Sequence, residues 1–267
     1  APPPSIFRRR TLPMTAAIAD ILAAADDLLH PARYDDYCVN GLQVPGPPTA
    51  DNVVSGVSAN AEFFGLAAKA EADLVIVHHG LFWKPGVDQL DPVMKGRLQA
   101  LFENEIALAA YHLPLDAHAE IGNNALLARA LGAAQLAPFA RHHGETIGAL
   151  GTLPAGGIPR TELIERTRTA TNREPLVFET GAPTITDIAV VTGGGAGYLE
   201  EAALAGAQVL ITGEIPERAM ALARELGINL IAAGHHATET FGVKRLGEVL
   251  ADRFGLHHQF IDVPNPV

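Results

Sequence analysis

The chain has 267 residues, 48% of them hydrophobic and 18% charged, with a formal net charge of -11. That is enough apolar material for one large or two small cored domains, and it excludes a disordered tail protein. The acidic balance disfavours broad binding to nucleic acid or anionic membranes, and the single cysteine, Cys38, excludes an intrachain disulfide and a thiolate metal cluster.

A lone thiol suits a reducing cytoplasm. No apolar run is long enough for a membrane-spanning helix. Residues 1–13 are Pro-rich, carry Arg8-Arg9-Arg10 and lack the apolar core of a secretory signal. They read as an upstream extension or disordered arm, less readily as a transit-type segment, with Met14 as the natural start. Thr15 is a candidate cap for a helix through Leu29, whose apolar positions are Ile18, Ile21, Leu22, Ala25 and Leu28. Asp35 to Pro48 is turn-rich. Asn52 to Val57 predicts a strand and Ala61 to Ala70 a helix. Leu74 to Val77 is apolar without alternation, as in a strand buried on both faces of a parallel sheet. It ends abruptly in His78-His79-Gly80. Gly96 to Asn104 predicts a helix, and Ile106 to Tyr111 a buried strand running into His112-Leu113-Pro114-Leu115-Asp116.

Gly122 to Leu131 reads as a helix stopped by Gly132, Ala137 to Leu153 as strand and loop, and Arg160 to Thr171 as a helix. Ile188 to Thr192 is a strand, followed by a glycine run, Gly193 to Gly197 with Ala196 inside it, and a helix to Ala205. Gln208 to Thr212 and Ile228 to Ala233 are strands flanking a helix from Pro216 to Leu226. The second of them ends in Gly234-His235-His236-Ala237-Thr238-Glu239. A helix through Phe254 and a strand from Gln259 to Val263 close the chain. Strands alternating with helices predict an α/β fold. Val53 to Gly80 and Ile188 to Ile215 also echo each other without a gap, which suggests two related βαβαβ units with a shared cleft.

Chemistry concentrates at predicted strand ends, where a parallel sheet presents its ligands. His78 and His79 form one cluster, Asp116 a second, and His235 with Glu239 a third. If the helix has begun at His235, the His235–Glu239 spacing puts both side chains on one helical face. Imidazoles and carboxylates without thiolate suit Mn, Fe, Co, Ni or Zn. Three histidines and two carboxylates are too many for one open ion, and they fit two ions about 3.5–4 Å apart bridged by a carboxylate. The pairs His142-His143 and His257-His258 have no carboxylate placed to join them and read as structural. The glycine run fails the dinucleotide spacing, since Glu200 stands where the third glycine belongs, and it reads as a tight turn. Phe82 and Trp83 either wall a pocket or pack in a core. His112 is placed to orient Asp116 or a water, and Lys84 to meet an anionic substrate.

The segments VIVHHGLFWK (Val75 to Lys84), HLPLDAHAEIGNNALLARALG (His112 to Gly132), TGGG (Thr192 to Gly195), ITGEI (Ile211 to Ile215), AAGHHATE (Ala232 to Glu239) and FIDVPNPV (Phe260 to Val267) together resemble the Nif-three-like family. Its members are often described as GTP cyclohydrolase 1 type 2 homologues or dinuclear metal centre hexameric proteins. The resemblance runs from Met14 to Val267. It implies a two-domain α/β subunit, a homohexameric ring and two divalent transition metal ions per subunit in the cleft between domains. The first domain would take residues 14–136 and 230–267, and the second 137–229. By motif the ligands would be His78, His79, Asp116, His235 and Glu239, with Glu239 as the bridge. His236 stays outside that set, because some relatives hold another residue there. The large mid-chain insertion of some relatives has no room here, and the extension before Met14 has no family counterpart.

Two functions follow as expectations. One is a metal-dependent hydrolase acting on a nucleotide-like or phosphoester small molecule. The other is a non-catalytic metal-binding ring, a carrier or interaction scaffold. Action on nucleic acid is disfavoured by the net charge of -11.

Overall fold

The computed structural model describes residues 15–86 and 89–267. The expected arm and the start at Met14 lie outside the described residues. Strand β1 (Ala16–Ala17) leads into helix α1 (Ile18–Leu29) and pairs with β3 (Thr49–Ala50), which follows β2 (Gly41–Val44). Thr15 is therefore not the helix cap. Pairing holds the chain extended to Ala17, which takes the cap position without a side-chain bond. The turn-rich segment before Pro48 contains β2, an edge strand that sequence punctuation concealed.

Strand β4 (Asn52–Ser58), helix α2 (Ala61–Lys69), strand β5 (Leu74–His79), helix α3 (Pro92–Glu103) and strand β6 (Ala107–Ala110) follow. Helix α3 begins four residues earlier than its pattern predicts. Asp91 caps it by accepting from the Met94 N–H, and Pro92 sits in its first turn. Next come α4 (Leu113–Asp116), α5 (Asn123–Ala130) and the hairpin β7 (Ala134–His142) and β8 (Glu145–Thr152). Then come β9 (Ile158–Pro159), α6 (Arg160–Thr171), β10 (Leu176–Phe178), β11 (Thr184–Ile185), β12 (Asp187–Val191) and α7 (Leu199–Leu204). The chain ends with β13 (Val209–Thr212), α8 (Ala219–Leu226), β14 (Asn229–Ala232), α9 (His235–Thr238), α10 (Thr240–Phe254) and β15 (His257–Phe260).

Two main mixed sheets result, the first largely parallel and the second parallel only in its middle. In the first, β15, β4, β5 and β6 are parallel neighbours, and β2 lies antiparallel on β6. Alternate residues of β5 enter opposite cores: Leu74 and Ile76 pack with α1 and α10, Val75 and Val77 with Phe63, Phe64 and Leu101. Each such burial contributes about 1.5–3 kcal/mol, and helices on both faces are why the strand shows no polar alternation. In the second sheet, β12, β13 and β14 are parallel, β10 lies antiparallel on β14, and β8 and β7 extend the other edge. Ala189 and Leu210 face α7 and α8, whereas Ile188 and Ile211 face Leu127 of α5 and Leu163 of α6.

The internal echo is exact in register. Val53 pairs with Leu74, and Ile188 with Val209, so both partners move by the same offset. The division differs from the expected 136/230 boundaries at two elements. Strand β14 is hydrogen-bonded into the second sheet, and α5 buries Leu127 and Ala128 in that sheet's core. Helix α10 returns to pack on β4 and α5, joining the two cores.

Candidate metal centre

Strand β5 ends at His79, β6 runs out through Tyr111 and His112 into α4, and β14 turns at Gly234 into α9. The carboxyl ends of parallel strands from both sheets thus meet, as expected for an α/β site. His78, His79, Asp116, His235 and Glu239 converge there.

Each imidazole is tied on its outer nitrogen and points the other inward. His78 Nδ1 donates to the Tyr111 carbonyl at 2.9 Å. Nδ1 therefore carries a proton, and Nε2 offers a lone pair to a metal only once its own proton is lost. His79 Nδ1 meets Ser58 Oγ at 3.0 Å, and His235 Nδ1 meets Glu214 Oε1 at 3.2 Å. Such outer partners orient a metal-binding histidine. Asp116 Oδ1 accepts from Asn123 at 2.8 Å, which leaves Oδ2 3.5 Å from His78 Nε2. Glu239 divides its carboxylate: Oε1 lies 3.6 Å from His78 Nε2, and Oε2 lies 3.1 Å from His79 Nε2 and 3.3 Å from His235 Nε2. Two groups of possible ligand atoms share Glu239: one with His78 and Asp116, the other with His79 and His235. The donor set fits divalent cations. Among the described residues, buried His78 Nε2 and Glu239 Oε2 have no hydrogen-bond partner, although such groups are costly to leave unpaired.

Charge is concentrated here. Burial alone would lower the His78 pKa, but the Asp116 and Glu239 carboxylates outweigh it and raise it well above the usual value. Burial would raise Glu239, and His78 and His79 instead hold it well below the carboxylate range. His79 is lowered by its own burial. His235 is raised to about 9, because contacts with Glu239 and Glu214 exceed its desolvation.

Other expectations resolve differently. His112 does not orient Asp116. Its Nδ1 bonds Asp36 Oδ1 at 2.9 Å, and Asp36 also accepts from the Cys38 and Leu113 N–H groups and from Asn40. Burial raises Asp36, but the His112 bond leads the opposing effects, which lower it to about 2. Lys84 Nζ donates to the Asp36 carbonyl at 2.7 Å instead of facing a substrate. The glycine run is a tight turn: Gly193 has φ +62°, and a Cβ there would strike the Glu239 carboxylate. His236 Nε2 is held by Asp262 at 2.7 Å, outside the cluster. His258 bonds Ser55 in strand β4, a structural role. His142, expected to be structural too, lines the cleft together with Tyr37.

Asp36, Tyr37 and Glu214 escape the sequence reading. Asp36 and Tyr37 sit in a segment that reads only as turns. Glu214 has a usable signal, since the echo that aligns Val53 with Ile188 also aligns His79 with Glu214.

The family model described as Duf34/NIF3 (NGG1p interacting factor 3) matches residues 16–266. A Pseudomonas aeruginosa protein named GTP cyclohydrolase 1 type 2 homolog is 45% identical over 253 residues, 95% of this chain and 100% of that one. An Escherichia coli protein of the same name is 40% identical, covering 90% of this chain and 96% of its own. Among solved structures, protein ybgI, described as of unknown function, superposes with TM-score 0.88 at 38% identity over 94% of this chain and 100% of that chain. TTHA1606 from Thermus thermophilus gives 0.87 at 36% identity, with 94% and 100% covered. With the motifs, the two-sheet fold and a match across nearly its whole length, the chain belongs to the Duf34/NIF3 family.

Proposed function

We propose that this chain is a dinuclear metal-dependent hydrolase acting on a nucleotide-like or phosphoester small molecule. The observation that carries this is the division of Glu239, one oxygen toward His78 and the other toward His79 and His235. His78, Asp116 and Glu239 would hold one divalent transition metal ion (Fe, Mn, Zn, Co or Ni), and His79, His235 and Glu239 the other. Bound ions would lower the pKa of water toward neutrality and polarise the bond to be cut. The chain's own part is to fix the tautomers of His78 and His235 and to open one side: the His79 and His235 side chains are 21% and 30% exposed, whereas Glu239 is 3%. The relatives' name points to ring opening of a purine-type amidine. By resemblance, the working unit is a homohexameric ring in the cytoplasm.

Elemental analysis of the parent beside His78→Ala and Glu239→Ala tests the centre. Near two equivalents per chain, lost in both variants, supports it and justifies a hydrolysis screen on nucleotides and phosphoesters. Little metal in the parent sinks it. The second reading, a non-catalytic carrier or scaffold, draws on the burial of His78, Asp116 and Glu239. Full metal loading without turnover would favour it.

A further inference from the structure

One wall of the cleft is aromatic. Tyr37 stacks on Trp83 with ring centroids 5.4 Å apart and planes at 29°. Both rings meet His112 in T-shaped contacts at 5.1 and 5.3 Å, and Trp83 lies 6.1 Å from His79. The stack therefore rises beside the imidazoles of the candidate centre. Its geometry is locked. Trp83 Nε1 donates to the Gly80 carbonyl at 2.9 Å, which satisfies the indole and stops it turning. The Lys84 N–H donates to the Tyr37 carbonyl at 2.6 Å, and the Val39 N–H donates to the Phe82 carbonyl at 3.1 Å. These bonds zip the Tyr37 segment to the continuation of β5, the strand that carries His78 and His79.

A rigid aromatic pair of this kind belongs in a core, yet Tyr37 is 54% exposed and lines the cleft with His79, His235 and Glu239. The cleft encloses about 320 Å³, and its ionisable lining is imidazole, phenol and carboxylate, Glu214 included. Lys84, a cation near the cleft, is turned onto the Asp36 carbonyl. Recognition of a ligand away from the reacting bond thus falls to stacking. A purine-sized ring fits such a volume, and stacking on tyrosine tolerates any π face.

We propose that the Tyr37–Trp83 stack is the specificity-determining platform of this cleft, and that the substrate carries a planar heteroaromatic ring laid against Tyr37. The proposal rests on the reading of the cleft as a substrate site.

Trp83 is the chain's only tryptophan, so its emission reports on the platform alone. The full chain, loaded with diamagnetic zinc, is titrated with guanosine, adenosine and ribose 5-phosphate, with inner-filter correction. A saturable change with the two nucleosides and none with ribose 5-phosphate is expected. Tyr37→Ala should weaken nucleoside binding about tenfold, and Tyr37→Phe, which keeps the ring, should stay within about twofold of the parent. Circular dichroism confirms folding of both variants. No response to either nucleoside, an equal response to ribose 5-phosphate, or an unchanged affinity in Tyr37→Ala overturns the proposal. Ring binding without turnover removes the hydrolase reading and leaves the platform. Phosphoester turnover without ring binding does the reverse.

Discussion

Proton competition at His235 is the sharpest consequence of the site's electrostatics. Histidine must lose its proton to bind a metal. With ordinary histidines the competition would begin near pH 6.5. Glu239 and Glu214 raise His235 to about 9, so the competition begins about there. Deprotonating such a group at pH 7 costs about 2.7 kcal/mol, roughly a hundredfold in affinity. The His235 side chain is 30% exposed, and solvent screening brings this nearer ~1–2 kcal/mol, about five- to thirtyfold. Zinc affinity, measured by competition with a chromophoric chelator, should therefore climb between pH 7 and 9 and level off above. In Glu214→Gln the levelling should come at lower pH, since one carboxylate raising His235 is gone. The plateau should also fall about ten- to hundredfold, because the imidazole loses its outer anchor. The sign for stability of the metal-free chain is opposite. A raised pKa contributes stability that is present below pH about 6.5 and lost as pH rises through about 9. Metal-loaded and metal-free melting temperatures should diverge as pH rises. A parent affinity that is flat from pH 7 to 9 would refute this account.

Gly193→Ala should lower metal content and cost about 1–2 kcal/mol, because its φ of +62° disfavours a side chain and the new methyl meets Glu239; unchanged metal in elemental analysis would sink this. Asp36→Asn should destabilise by about 3–5 kcal/mol in urea unfolding, since a buried carboxylate that serves His112 and two backbone N–H groups loses its charge. A loss under about 1 kcal/mol would show the network to be dispensable. His258→Ala should cost about 1 kcal/mol and leave metal binding untouched, because its partner is Ser55 in β4, away from the cluster. A fall in metal content there would contradict the structural role of this pair.

The unbroken apolar run Leu74 to Val77, ending in two histidines, determined by itself that a parallel strand presents His78 and His79 at its carboxyl end. Burial on both faces leaves no other pattern, so period and punctuation were enough. The same holds for the matched units, whose shared register follows from a shared spacing of strand, helix and strand. Tertiary structure alone decided what lies behind each of the clustered side chains. Asp36 is 76 residues from His112 in sequence, and Tyr37 meets Trp83 only because the chain after β5 captures the turn-rich segment. Glu214 reaches His235 across the ends of β13 and β14. Local propensity reports what a residue does to its own backbone. Which carboxylate faces which imidazole depends on how two separately cored sheets bring their strand ends together, and no periodicity along the chain encodes that meeting.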